Sequence, residues 1–209
     1  MRARESPFQR VSRQGVIRLE IVAERLYGAT GPRRGSVVIA ARTSLAQGTI
    51  EAPHFTPSTR SNFPHVRLPV YNLDVVGMRV PMFDGHPGAS RKYWVWFETE
   101  AGTWINSRMV LLGDLNANPT EGQRIGESHL TRLAQSGWQI SNPSEPWSYA
   151  ASGSRLDHAL VSPSLILGAS SFVAEIDGPV LADPQRPSLS DHAALVVEVD
   201  GGGLAIPSE

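Results

Sequence analysis

Met109-Val110-Leu111-Leu112-Gly113-Asp114-Leu115-Asn116 is the stretch on which the reading of this chain turns. Four apolar residues in a row have the length and composition of a core strand. Gly113 lets the backbone turn at its end. An acid and an amide then follow two positions apart, which points both to one side. A carboxylate there can orient a water or hold a divalent cation. The amide can donate to an anionic oxygen without adding charge. Taken alone, the stretch is also a plain Gly-Asp turn running into the Asn118-Pro119 turn. Its meaning depends on what the rest of the chain supplies.

Two later segments supply it. Ser154-Arg155-Leu156-Asp157-His158 leads into an alternating apolar run, with Leu156, Ala159 and Val161 around the acid. A carboxylate inside such a strand is costly unless it is partnered. The natural partner is His192 of Ser190-Asp191-His192, which leads into the apolar run Ala193 to Val199. A carboxylate accepting from one ring nitrogen fixes the tautomer and raises the basicity of the other. The imidazole is then a general base, or it stabilises charge on a reacting phosphate. Neighbouring side chains on a strand diverge, so Asp191 and His192 are assigned different roles, metal contact and base. His158 points away from Asp157 and reads as a surface or packing residue. Together the segments make an outfit for metal-assisted phosphodiester hydrolysis.

With 209 residues, 41% hydrophobic and 19% charged, the chain has the balance of one globular domain. A formal net charge of -1 excludes a generic polyanion binder, yet residues 1–42 hold nine Arg against three Glu. A basic arm with an acidic body can bring a phosphate backbone to a carboxylate site. A solvated, partly disordered N-terminus is the plainer alternative. The expected organisation is a flexible basic arm at 1–14, a domain at 15–200 and a flexible tail at 201–209. The absence of cysteine excludes disulfides, Cys–zinc sites and thiol nucleophiles. The first 20 residues are Arg-rich without an apolar h-region, and no apolar run approaches the roughly 18 residues of a membrane span. A soluble, cytoplasmic protein is expected.

Strand-like runs recur at Val16 to Val22, Ser36 to Ala41, Leu73 to Val80, Met109 to Leu112, Leu156 to Val161 and Ala193 to Val199. Val16 to Val22 is expected beside Ser36 to Ala41. Helices are expected at Arg91 to Glu100 and Gly126 to Ser136, with Gly137 at C′ and Thr120 capping a short turn. Gly48 to Leu68, rich in Pro and His, reads as a loop. Trp94, Trp96 and Trp104 read as core residues, with base stacking the minority role. The mixture indicates an α/β protein with long loops.

Gly113-Asp114-Leu115-Asn116, Arg155-Leu156-Asp157-His158 and Ser190-Asp191-His192 resemble, in order and spacing, the three C-terminal motifs of the endonuclease/exonuclease/phosphatase superfamily. Gly35 to Arg42 and Val75 to Pro81 are similar to two further strands of that family. The resemblance covers roughly Gly35 to Val199. It implies a two-sheet β-sandwich flanked by helices in four layers, and hydrolysis of a phosphodiester in nucleic acid, most simply DNA, by water attack. It also implies magnesium, or manganese, as cofactor. On that likeness Asp114 orients the nucleophile, Asn116 holds phosphate, Asp157 supports His192, and Asp191 approaches the metal.

The family's first strand carries an Asn and its second ends in Gln-Glu, whose Glu is the main magnesium ligand. Here no Asn precedes Asn62, and Gln-Glu occurs nowhere. Glu20 and Glu24 are the acids in a usable place, and Glu20 is carried forward as the candidate ligand. Where many relatives have Tyr or His before the Pro, this chain has Met78 and Arg79; Arg79 reads as an exposed strand residue that could contact phosphate. A member lacking its first strand-helix-strand unit is expected in preference to one with a rebuilt metal site. Two rival functions follow: a catalytically impaired member acting as a binding domain, and a phosphatase of phosphoinositide or phospholipid headgroups.

Overall fold

The structure is a computed structural model, and it describes residues 16–20, 39, 43–53, 63–80, 87–118, 125–186 and 188–201. The expected arm, the tail beyond Gly201, Thr120 and the Ser36 to Ala41 strand, Ile39 apart, lie outside the described residues. In chain order the elements are β1 (Val16–Glu20), β2 (Ala46–Gln47), β3 (His65–Leu68), β4 (Leu73–Gly77), α1 (Pro87–Trp104), β5 (Met109–Asp114), α2 (Ile125–Gln135), β6 (Gln139–Ile140), β7 (Asp157–Val161), β8 (Ile166–Val173) and β9 (Ala194–Asp200).

The strands form two sheets. The larger has the order β2-β3-β4-β5-β7-β6, and the smaller β1-β9-β8. β4 and β5 are parallel and joined by α1; the other pairs are antiparallel. β5 sits inside the larger sheet and is buried on both faces, which is why Met109 to Leu112 reads as an unbroken apolar run.

Period-two alternation sorts the core into two clusters. Val110, Leu112, Ala159 and Val161 face the smaller sheet and pack with Phe172, Leu195, Val197 and Val199. Met109, Leu111 and Leu160 face the other way, against Tyr93, Trp94, Phe97, Leu130 and Leu133 of the helices. Each such buried aliphatic or aromatic side chain contributes roughly 1.5–3 kcal/mol. Trp94 and Trp104 are buried and Trp96 packs half-buried beside them. Arg132 of α2 donates to both carboxylate oxygens of Glu98 on α1, at 2.6 and 2.8 Å, tying the helices together. The described residues thus form three of the four expected layers: helices, sheet, sheet. No helix among them is long and apolar enough to cross a membrane.

α2 ends as its sequence requires. Gly137 has φ +111°, Trp138 N–H donates to Leu133 O at 3.1 Å and Gly137 N–H to Ala134 O at 3.0 Å, a Schellman closure.

β1 pairs with β9, from Val16↔Asp200 to Glu20↔Val196; its expected pairing beside Ser36 to Ala41 falls outside the described residues. One expectation is corrected, and one strand was not anticipated. The Gly48 to Leu68 segment contains β3, in which the polar His65 and Arg67 alternate with Val66 and Leu68 of the inter-sheet core, too short an alternation to stand out among the prolines. The His65 ring holds it in place, accepting from Ile50 N–H at 3.0 Å and donating to Asp74 at 3.1 Å. β8 escapes the apolar pattern because Phe172 is its one buried residue.

Candidate active site

Asp114 closes β5 and Asp157 opens β7, and the two are register partners. Both continue the faces of Leu112 and Ala159, so both carboxylates point between the sheets, where the sandwich opens. Gly113 makes this possible: at φ +144°, a Cβ there would lie 2.0 Å from Met78 O. The chain after β4 stays on β5, with Met78 N–H donating to Leu112 O and Val80 N–H to Asp114 O, each at 2.9 Å.

The Asp114 carboxylate collects three donors. Asn116 N–H reaches Oδ1 at 3.1 Å, and Asn116 Nδ2 and Arg79 Nε reach Oδ2 at 3.3 Å each. Asn116 also donates to Val80 O at 2.7 Å, and its φ of 50° is a left-handed conformation that Asn tolerates. Behind it, His158 Nε2–H donates to Ala117 O at 2.7 Å. Burial lowers the pKa of His158, which therefore stays neutral. It is a packing residue on the helix side, and it pins the loop that carries Asn116.

His192 Nδ1 donates to Asp157 Oδ2 at 2.7 Å. The carboxylate accepts, so Nδ1 carries a proton, and in the neutral ring Nε2 is the bare nitrogen. A hairpin bracket holds both partners. The buried Ser148 hydroxyl accepts from Leu156 N–H at 2.8 Å and Asp157 N–H at 3.1 Å, and its carbonyl accepts from Ala193 N–H at 2.8 Å. Ala150 N–H donates to Asp191 O at 2.9 Å, and the Tyr149 ring lies 4.9 Å from the imidazole, centre to centre.

Burial, then the charge of Asp157, raise the Asp114 pKa to about 6, against the opposing pull of His192, Arg79 and the Asn116 amide. For His192, burial alone would lower the pKa. The Asp157 hydrogen bond and charge, with the charges of Asp114 and Asp191, outweigh it and hold the imidazole above its ordinary value.

The structure therefore brings together Asp114, Asn116, Asp157, Asp191 and His192. Glu20 ends β1, and its side chain lies outside the described residues. Arg79, read from sequence as an exposed strand residue, instead lies on Asp114. Ser148 and Tyr149 gave no signal beyond the Ser152-Gly153 turn that closes their hairpin, where Gly153 has φ +66°.

A profile of the Endonuclease/Exonuclease/phosphatase family matches residues 6–192. The chain belongs to this family. Solved structures with the family fold resemble it at low identity. The 3'-5' exonuclease NExo from Neisseria meningitidis is 16% identical, over 76% of this chain and 71% of that one, with a TM-score of 0.52. The endonuclease domain of TRAS1, a telomere-specific non-LTR retrotransposon, is 16% identical over 93% and 83%, with a TM-score of 0.53. An endonuclease/exonuclease/phosphatase from Beutenbergia cavernae is 15% identical with a TM-score of 0.54, covering 90% of this chain and 54% of its own. No curated protein matches the sequence. Endonuclease/exonuclease/phosphatase proteins are generally divalent-metal dependent. In this member no group of three or more His, Asp or Glu converges to hold an ion among the described residues. Asp114 is already engaged by three donors and Asp157 by the imidazole, so the described donor set does not fit a metal by itself.

Proposed function

We propose that this protein hydrolyses a phosphodiester of nucleic acid by in-line attack of water. The observation that carries the proposal is the Asp157–His192 pair, with Nδ1 bonded at 2.7 Å and the imidazole within the field of Asp114. A water between Asp114 and Nε2 loses its proton to Nε2 as its oxygen bonds to phosphorus. The bond from phosphorus to the leaving oxygen breaks, and that oxygen takes a proton from solvent. Asp157 stabilises the imidazolium that forms. Asn116 can turn its 3.3 Å bond with Asp114 toward a phosphate oxygen. The Arg-rich stretch at 1–42 supports a polyanionic substrate, and the nuclease names of NExo and the TRAS1 domain agree with it. The family likeness adds magnesium or manganese to the proposal, with Asp191 and Glu20 as the residues nearest such a role.

The absence of the family's Gln-Glu from the sequence favours a second reading, an impaired member that binds without cutting. Nicking of supercoiled DNA and hydrolysis of bis(p-nitrophenyl) phosphate, each with magnesium, manganese or EDTA, separate the two. Cleavage that falls on the order of a hundredfold or more in His192→Ala supports hydrolysis. Cleavage unchanged in that variant refutes the mechanism. Nucleic-acid binding with no cleavage under any condition establishes the second reading.

A further inference from the structure

We propose that Arg79 is the built-in phosphate-binding cation of this site, held on Asp114 through Nε and presenting its Nη groups to a non-bridging phosphate oxygen. The inference rests on the phosphodiesterase reading and names the group that meets the substrate's charge.

Position comes first. The backbone on either side of Arg79 is fixed by ladder bonds, Met78 N–H to Leu112 O and Val80 N–H to Asp114 O, both 2.9 Å. Gly113 allows that close approach. The side chain thus leaves the sheet beside Asp114 and donates Nε to Oδ2 at 3.3 Å. The Arg79 side chain is 30% exposed while that of Asp114 is 8% exposed, so the guanidinium caps the carboxylate on its solvent side. Its Nη groups have no acceptor among the described residues.

Charge comes second. Asp114, Asp157 and Asp191 all act on the His192 imidazole, so three carboxylates surround the opening. A phosphodiester brings another negative charge to it. Arg79 lies on Asp114 at the mouth, and a guanidinium is charged at every working pH and binds phosphate oxygens through a planar fork.

The test reads binding without turnover. Inorganic phosphate is titrated into the whole chain in EDTA, by calorimetry and by arginine Nε–Hε NMR signals. Wild type is expected to bind saturably, with one arginine signal shifting that is missing from Arg79→Lys. Binding should weaken tenfold or more in Arg79→Gln, and by about threefold or more in Arg79→Lys, which keeps the charge but loses the fork. Arg186→Gln, which removes an exposed Arg paired with Asp183, should bind as wild type does. Thermal melts confirm folding, and if Arg79→Gln fails to fold, Arg79→Lys decides alone. Arg79 variants binding within twofold of wild type would overturn the inference, as would wild-type binding that requires magnesium. Absent cleavage with Arg79-dependent phosphate binding would sink the hydrolase reading while leaving this inference standing. Normal cleavage with Arg79-independent binding would do the reverse.

Discussion

Replacing Asp114 with Asn should stabilise the fold at neutral pH. Asp114 is buried beside Asp157, and its pKa rises from 3.8 to about 6. That difference corresponds to a penalty of about 3 kcal/mol on the charged form, already net of the favourable pull of Arg79, His192 and the Asn116 amide. The sign follows from the raised value. Protonated Asp114 favours the folded state below pH 4, and this advantage disappears as pH rises through about 6. Asn has the same shape and no charge, and its oxygen can keep the Asn116 N–H bond. The variant should match wild type at pH 4 and exceed it at pH 8. An excess of about 1–3 kcal/mol is expected once an altered hydrogen bond of roughly 1 kcal/mol is subtracted. Urea denaturation at both pH values measures it. A variant less stable than wild type at pH 8, or one with the same difference at both pH values, would refute the reasoning. Such a result would mean that Asp114 acts in the fold as a satisfied hydrogen-bond acceptor and not as a charge under strain.

Three further outcomes are expected. Diester cleavage should rise with pH through a midpoint above the ordinary imidazole value of 6.5, because His192 must lose a proton it holds more tightly than usual; Asp157→Asn should lower that midpoint, and a pH–rate profile showing no change would contradict the dyad. His158→Leu should cost about 1–3 kcal/mol in urea denaturation by leaving the Ala117 carbonyl buried and unpaired, and should slow cleavage through the Asn116 loop. Gly113→Ala should cost more than about 3 kcal/mol, since its methyl meets Met78 O at 2.0 Å and φ is +144°; a soluble variant with an unchanged urea midpoint would show that the chain after β4 can move away.

Much of the site was legible because its groups sit at fixed offsets from strands. Asp114 and Asn116 share a side by period two. Asp157 needed a partner because it lies in an apolar strand, and His192 was the imidazole at the head of another. The family likeness joined these segments, and the fold agrees with it. What stayed hidden depends on contacts between distant segments. Arg79 looked exposed because nothing local says that Gly113 admits its strand so closely. Ser148 has no local pattern, yet its hydroxyl and carbonyl connect two separate strands. β8 is a strand by pairing and not by burial. β1 was visible as a strand and invisible as the neighbour of β9, since pairing is a choice among several compatible edges.

The two halves of the dyad belong to different sheets: Asp157 opens β7 of the larger, and His192 stands just before β9 of the smaller. Neither sheet alone contains a base. If the Ser148 bracket yields and the layers part by an ångström or two, every strand stays intact, yet the 2.7 Å bond breaks and the imidazole returns to the basicity that burial and solvent dictate. The proton affinity of His192 is therefore a gauge of sandwich closure, readable by NMR in the resting protein without any substrate. Mutations far away in the inter-sheet core, at Val197 or Phe172 for instance, would register on that gauge before they register as unfolding.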